Sequence, residues 1–497
     1  MKKSLLSFVL ALLPIVASAD PVKIGDLWYN LIPKSGVAEV APDPNLGYTG
    51  DITIPSSVPY NGINYTVTKI EDNAFDNSQI TSVTIRNGVV SIGYSAFSHC
   101  NNLTSVVIPQ SMTSIGNMAF MDCMGLTSVH ITDLAAWCAI SFADMDANPL
   151  YNAHHLYVNG NIVQNLVIPN GVTTIGDWAF NSCSDLSSVI IPSGVTIIGN
   201  YAFSNCANLS SVTIGDDVVS IGMYAFSSTS LASVTFGSSV ATIGTGAFWG
   251  CSGLNSVVFP SSLTTIDSNA FDGCCGLSTL EIPNSVSNIN SGAFDGCSGL
   301  ASVTIGSGVN YIGNYAFKNC TQLADVYCKA TQLRTALTSD GMYTSLYTEP
   351  DAFTDSYQQD ITLYVPAASI TAYQAIEPWK YFKGPLALTG GTTKCAKPTI
   401  SYTNGTIDFT CSTAGVEFVS SVTSEDVKNY STASITLTQK FTISVYATKA
   451  GMDNSDTATM DIIITGNGQA IVVGDMDGNG TLDAVDIVKL VDKIMGR

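Results

Sequence analysis

The chain has 497 residues, enough for two to four domains, with 46% apolar and only 12% charged residues. Lys and Arg total 19 against 39 Asp and Glu, a net charge of −20. That balance excludes the basic patches that draw proteins to nucleic acid or to anionic membranes, and the apolar content excludes a disordered chain.

Residues 1–19 read as an export signal. Lys2 and Lys3 open it, Leu5 to Val16 is an apolar stretch too short to span a bilayer, and Ala17-Ser18-Ala19 is a small-residue cleavage site. Cleavage after Ala19 leaves a chain starting at Asp20, secreted or held at the cell surface. No Cys follows the site, so no lipoprotein anchor is expected. No later apolar run reaches the roughly 18 residues of a membrane helix, and no transmembrane segment is expected. Residues 20–69 form an N-terminal cap, with hairpins from Asp26 to Pro55.

From about residue 70 the chain repeats itself. Ala-Phe pairs end at Phe75, Phe97, Phe120, Phe180, Phe203, Phe226, Phe248, Phe271, Phe294 and Phe317. The spacing is 22 or 23 residues, except for 60 between Phe120 and Phe180, which is one period plus 37 inserted residues. A fixed period in this range predicts a solenoid. After each Phe, apolar residues stand at offsets 0, 3 and 5, as in Leu186-Val189-Ile191 and Leu209-Val212-Ile214. This is leucine-rich repeat spacing, and its alternation predicts a strand with one buried face. A second apolar pair, such as Val195 and Ile198, precedes a Gly (Gly199) expected to turn the chain. One coil cannot bury its own Phe, Leu, Val and Ile. Stacked on a copy it can, at roughly 1.5–3 kcal/mol for each large side chain.

The strings I-G-x-x-A-F-x-x-C-x-x-L-x-S-V-x-I, for instance Ile198 to Ile214, resemble the BspA-type leucine-rich repeat family of secreted and surface proteins. The resemblance covers about Ile70 to Cys328. It implies binding, not catalysis: adhesion to host or microbial surfaces, or recognition of an extracellular protein or glycan. The expected fold is mainly β, a solenoid of about 10–11 coils over residues 70–388. It has an insertion near 132–165, a C-terminal cap from Ile361 to Leu386, and Phe353 as a degenerate eleventh repeat.

Eight cysteines recur at one offset from Ala-Phe: Cys100, Cys123, Cys183, Cys206, Cys251, Cys274, Cys297 and Cys320. In an exported chain this suggests disulfides. A column at one position per coil gives parallel Cβ vectors that suit a disulfide poorly, so packing of free thiols inside the solenoid is the expectation. Cys395 and Cys411 lie outside the repeats and are either bonded to each other or free.

Residues 389–467 show short alternating strands, Thr399 to Tyr402, Thr406 to Cys411 and Phe441 to Ala447, with a hairpin signal at Asn404-Gly405. They are read as a small β-sandwich. The segment is similar to the chitobiase-type C-terminal β-sandwich, a non-catalytic module, and a spacer role is the plain reading.

Residues 468–497 carry the sharpest chemistry. Asp475, Asp477 and Asn479 alternate at loop positions 1, 3 and 5, with Gly480 at the turn, Thr481 at 7, Asp483 at 9 and Asp486 at 12. This string supplies the hard oxygens that Ca²⁺ takes, and a short amphipathic helix follows. Asp at position 12 resembles the calcium loop of dockerin modules. A dockerin has two such loop–helix repeats and one is found here. The half-module either pairs with a docking partner or folds back on the β-sandwich. Through it, the chain has an alternative reading as an accessory protein tethered to a polysaccharide-degrading assembly.

No catalytic motif is present. His99 and His130 sit at variable repeat positions and are expected in solvent. His154 and His155 are expected on a strand, pointing to opposite faces. Two columns are candidate ligand surfaces. One is a Ser ladder, Ser82, Ser105, Ser128, Ser188, Ser211, Ser233, Ser256 and Ser302, which either bonds a ligand or simply keeps the sheet soluble. The other precedes Ala-Phe: over three coils it reads Trp178, Tyr201 and Tyr224, an aromatic stripe that either anchors a partner or packs on itself.

Overall fold

A computed structural model describes residues 20–44, 47–334 and 345–388. Beyond these it describes the backbone of strands 399–403, 406–410, 417–431, 434–448, 458–465 and 470–473. The chain divides into two compact units, Met1–Ile162 and Val163–Arg497. The fold is mainly β, a leucine-rich repeat solenoid of about 13 turns with few helices. The count exceeds the ten Ala-Phe pairs because several turns carry degenerate sequence.

Each coil is built by alternation. In strand Ser188–Ile191, Val189 and Ile191 are buried while Ser188 and Ile190 face outward. It pairs in parallel with Ser211–Ile214, Ser against Ser and Val against Val. The chain then turns, and the short strand Ile197–Ile198 joins a second parallel ladder, Thr174–Ile175 to Thr242–Ile243 and onward. Next comes Ala-Phe, with both residues fully buried in every repeat. Phe rings stack on their neighbours. Centroids lie 5.0 and 5.1 Å apart from Phe75 to Phe120 in the first unit. In the second unit Phe226 sits 5.2 Å from Phe203 and 5.4 Å from Phe248. The ladder runs through Phe317 to Phe353, at 5.1 Å, so Phe353 marks a further coil.

The 37 inserted residues also wind as a coil. Ser141–Phe142 pairs with Ser114–Ile115, and Leu156–Val158 pairs with Val129–Ile131. Phe120 N donates to Asp146 O at 2.8 Å, as Phe97 N does to Ala119 O. Asp146-Ala147 therefore occupies the Ala-Phe place, which hides this coil from a search for Phe.

Gly199 does not turn the chain. Its φ is not positive, and a Cβ there would lie 2.6 Å from Asp177 N and 2.7 Å from Gly176 C in the preceding coil. The glycine lets two coils approach. Residues with positive φ stand elsewhere, two before and two after each Phe: Tyr201 and Asn205, for instance, at 56° and 59°.

The cysteine column faces inward as free thiols. Cys100, Cys123, Cys138, Cys183, Cys206, Cys251, Cys274, Cys297, Cys320 and Cys328 are buried and only Cys275 is exposed among the described cysteines. The thiols also bond. Sγ of Cys100, Cys206 and Cys320 donates to the Phe carbonyl of the preceding coil at 3.0, 3.1 and 3.4 Å. Where a coil lacks Cys another donor stands in. Asn152 Nδ2 serves Phe120 O at 2.9 Å and Ser356 Oγ serves Phe317 O at 2.6 Å. Burial pushes the Cys100 and Cys138 thiols up to about 12 and Cys328 to about 11. Thiolate is the reactive form, so these groups are inert. In the folded protein an alkylating reagent is expected to label Cys275, while the buried ten react only after denaturation. Peptide mapping by mass spectrometry checks this, and native labelling of the column would refute it.

Both ends of the ladder are covered. Strands Val22–Ile24, Leu27–Ile32 and Val37–Ala41 pair antiparallel in sequence. Tyr48 follows, its ring 4.5 Å from Phe75 and its hydroxyl donating to Ala41 O at 2.7 Å. At the other end Phe353 meets Trp379 and Phe382 at 5.4 and 5.1 Å.

Beyond residue 388, Thr399–Thr403 and Thr406–Thr410 pair antiparallel around positions 404–405. Four further strands, Glu417–Ser431 to Ala470–Val473, form an antiparallel sheet in sequence order.

Candidate functional site

The aromatic stripe is brought together. The Trp178 and Tyr201 rings are 4.0 Å apart and 2° from parallel, and Tyr201 and Tyr224 are 5.2 Å apart at 17°. All three are half-buried. The stack ends where Tyr224 lies flat over Gly246, since a Cβ at Gly246 would run into its ring. Both faces of the Tyr201 ring are thus used within the ladder. Tyr201 Oη approaches Met223 Sδ at 3.8 Å, and burial, then Tyr224, raises its phenol above the usual range. Met223 is itself 42% exposed, so the ladder borders apolar surface.

The backbone beneath the ladder is unusual. Trp178, Tyr201 and Tyr224 have φ of 64°, 56° and 51°. The equivalent position elsewhere holds Asn73, Ser95, Gly246, Asn269 or Gly292, types that suit the left-handed region, and a bulky Met118 at 59°. A bulky residue there costs on the order of 1–2 kcal/mol. Stacking, at about 0.5–1.5 kcal/mol per pair, offsets part of that cost. Tyr315 repeats the exception at 62°, with Lys318 Nζ 5.0 Å from its ring centroid.

The Ser ladder is in register, Ser82 with Ser105 and Ser128 in one unit and Ser188 with Ser211, Ser233 and Ser256 in the other. Some of its hydroxyls already donate within the protein: Ser82 Oγ to Asp51 Oδ1 and Ser188 Oγ to Asn165 Oδ1, each at 2.7 Å. The residue before them does likewise, as Ser210 Oγ donates to Ser187 O at 3.1 Å. Much of the hydroxyl surface therefore serves the coil-to-coil contact.

His99 lies in solvent as expected, while the other histidines differ from expectation. His99 is exposed but bridged, with Nδ1 3.3 Å from Asp76 and Nε2 3.4 Å from Asp122. His130 is half-buried and stacks on Tyr157 at 4.8 Å. His154 closes a short helix at φ 62° instead of lying on a strand, and the next strand begins at Leu156. The calcium-loop residues Asp475, Asp477, Asn479, Thr481, Asp483 and Asp486 lie outside the described residues, as do Cys395 and Cys411.

Residues 56–145, 154–274 and 219–336 match the BspA type leucine rich repeat region, in six copies. The chain belongs to the BspA-type leucine-rich repeat family. Similar solved structures include a leucine-rich cell surface protein of Faecalibacterium prausnitzii, 27% identical, covering 63% of this chain and 95% of that one at TM-score 0.37. Another is a leucine-rich repeat protein of Bacteroides ovatus, 23% identical over 61% and 94%, TM-score 0.33. A third is the pneumococcal vaccine antigen PcpA, 18% identical over 71% and 95%, TM-score 0.45. No curated protein matches. No enzyme family is indicated, and among the described residues no helix is long and apolar enough to cross a membrane.

One feature of this BspA-type solenoid is visible only when charges are placed by position. Between Arg86 and Lys318 there is no Lys or Arg, while twelve Asp and Glu fall in that span. Several of these acids bond the next coil: Asp177 Oδ1 accepts from Asn200 N at 2.7 Å, and Asp216 Oδ1 from Ser238 N at 2.8 Å. The solenoid thus has an uncompensated negative surface over most of its length.

Proposed function

We propose that this chain is an exported, non-enzymatic recognition protein of the cell surface. Its solenoid binds an extracellular protein or glycan through a surface centred on Trp178, Tyr201 and Tyr224. The observation that carries this reading is the placement of three successive bulky aromatics, stacked on one another, on left-handed backbone that most other coils, Met118 and Tyr315 excepted, give to Asn, Ser or Gly. Strain of this kind persists where surrounding structure enforces it, and it clusters at ligand-binding sites. Rigid aromatics with polar tips are also the side chains that anchor interfaces. The acid-only stretch directs the partner choice toward neutral or basic surfaces, since anionic ones are repelled.

The remaining parts fit the same reading. The signal at residues 1–19 exports the chain. The strands beyond residue 388 make a β-sandwich spacer. The loop from Asp475 to Asp486 holds Ca²⁺ and ties down or docks the C-terminus.

The test is a binding screen of the full-length protein against extracellular-matrix proteins and glycans, with and without Ca²⁺. For a ligand so found, the variant carrying Trp178→Ala, Tyr201→Ala and Tyr224→Ala is expected to bind about tenfold or more weakly. Unchanged affinity in a folded triple variant would sink the assignment.

A further inference from the structure

The residue after each Phe belongs to a further row, one member per coil. In the second unit it reads Asn181, Ser204, Ser227, Trp249, Asp272, Asp295, Lys318 and Thr354. Ser204 and Ser227 are buried, with their hydroxyls 2.8 Å apart. The row then changes character. Trp249 is 44% exposed, the most exposed of the five tryptophans. No other ring packs on it among the described residues. Gly250 N donates to Asp272 O at 2.8 Å, which sets Trp249 in register beside the aspartate of the next coil. Asp295 stands one coil further on and accepts from Asn319 Nδ2 at 2.9 Å. Burial, then the charge of Asp295, raises the Asp272 carboxyl above its ordinary range. The neighbouring positions are Gly250, Gly273 and Gly296, at φ 72°, 73° and 68°. A Cβ on Gly250 would meet nothing closer than Ser228 Oγ at 3.8 Å. No side chain therefore crowds the row at this position.

We propose that Trp249, Asp272 and Asp295 form a subsite for a neutral sugar ring. The chemistry matches in two parts. A pyranose has an apolar C–H face that packs on an indole and a rim of hydroxyl donors that carboxylates accept. Coils repeat at about 4.8 Å, which puts the two acceptors within one ring's breadth of each other. The glycine strip lets the ring settle against backbone. The same two aspartates, in a stretch with no Lys or Arg between Arg86 and Lys318, repel sulfated or carboxylated sugars. The subsite rests on the reading of the solenoid as a recognition surface, but it is independent of the Trp178–Tyr224 ladder.

The experiment is calorimetric titration of the full-length protein with neutral gluco-, manno- and galacto-hexasaccharides. A heparin hexasaccharide serves as the anionic control. At least one neutral probe is expected to bind and heparin is not. Trp249→Ala, and separately Asp272→Asn with Asp295→Asn, are each expected to weaken binding about tenfold or more. Trp178→Ala is expected to leave it unchanged. The carboxamide variant keeps the side-chain shapes, so it decides the matter if the Trp249 variant folds poorly. The proposal falls if no neutral hexasaccharide binds, or if both variants bind as the parent does. Capture of a matrix protein without any sugar binding would overturn this subsite and leave the recognition reading standing.

Discussion

Replacing Phe226 by alanine is expected to destabilise the solenoid by about 3–5 kcal/mol. The ring is fully buried and touches a Phe on each side, at 5.2 and 5.4 Å, so its removal opens a cavity between two coils and breaks both stacks. The local chemistry gives little relief. In this coil the Cys position is Thr229, whose hydroxyl donates to Phe226 O at 2.9 Å and meets Cys251 Sγ at 3.2 Å. These bonds hold the backbone in place and keep the cavity from collapsing. Because each coil is supported by its neighbours, the loss is felt as weakened coupling between the two flanking segments. Urea unfolding followed by circular dichroism measures it. A loss below about 1 kcal/mol would show that the ladder packs without contributing the expected burial energy.

Gly199→Ala should be nearly as damaging, at about 3 kcal/mol, the upper end of what overpacking usually costs. In most contexts the same change stabilises a chain by reducing the freedom of its unfolded state. Here the added methyl would meet the backbone of the preceding coil, at Asp177 N and Gly176 C, and backbone cannot rotate away. The two coils must separate, which strains the Asp177–Asn200 bond and the adjacent pairing of Ile197–Ile198 with Thr174–Ile175. Gly194→Ala provides the contrast. Its Cβ would meet no atom within 4 Å, but its φ of 103° disfavours a side chain. Gly199 has no positive φ, so a melting-temperature drop there as large as at Gly194 or larger reports coil contact, whereas a drop confined to Gly194 would mean that backbone conformation alone matters. A neutral Gly199→Ala would overturn the account.

The solenoid was legible because its physics is periodic. Phe, Leu, Val and Ile recur where the coil turns them inward, so spacing alone locates the buried faces and the free cysteine column. Legibility fails where a coil keeps the backbone path but loses the marker. Asp146-Ala147 fills the Ala-Phe place, and its hydrogen bond from Phe120, not its side chains, identifies the coil. Gly199 was misread as a turn because sequence shows a glycine without showing what lies against its Cα. The candidate site was legible as a column, Trp178, Tyr201 and Tyr224, but not as strained backbone, since φ is not written in residue identity. The Trp249 row was hidden for another reason. It spreads one residue per coil over three coils, and only lateral stacking makes neighbours of residues 23 apart. Two local signals pointed there: the exposed-type Trp in a core-like repeat, and the change from Asn or Ser to Gly at 250, 273 and 296.

The absence of Lys and Arg between Arg86 and Lys318 reaches beyond electrostatics. Digestive and bacterial enzymes of the trypsin type cut only after those two residues. Across residues 87–317 they find no bond to cut, whether the coils are stacked, frayed or fully unwound. Burial protects a protein only while it stays folded, but this protection is written into composition. A surface protein exposed to such enzymes keeps most of its repeat array as one uncut span, including the Trp178–Tyr224 ladder and the Trp249 row.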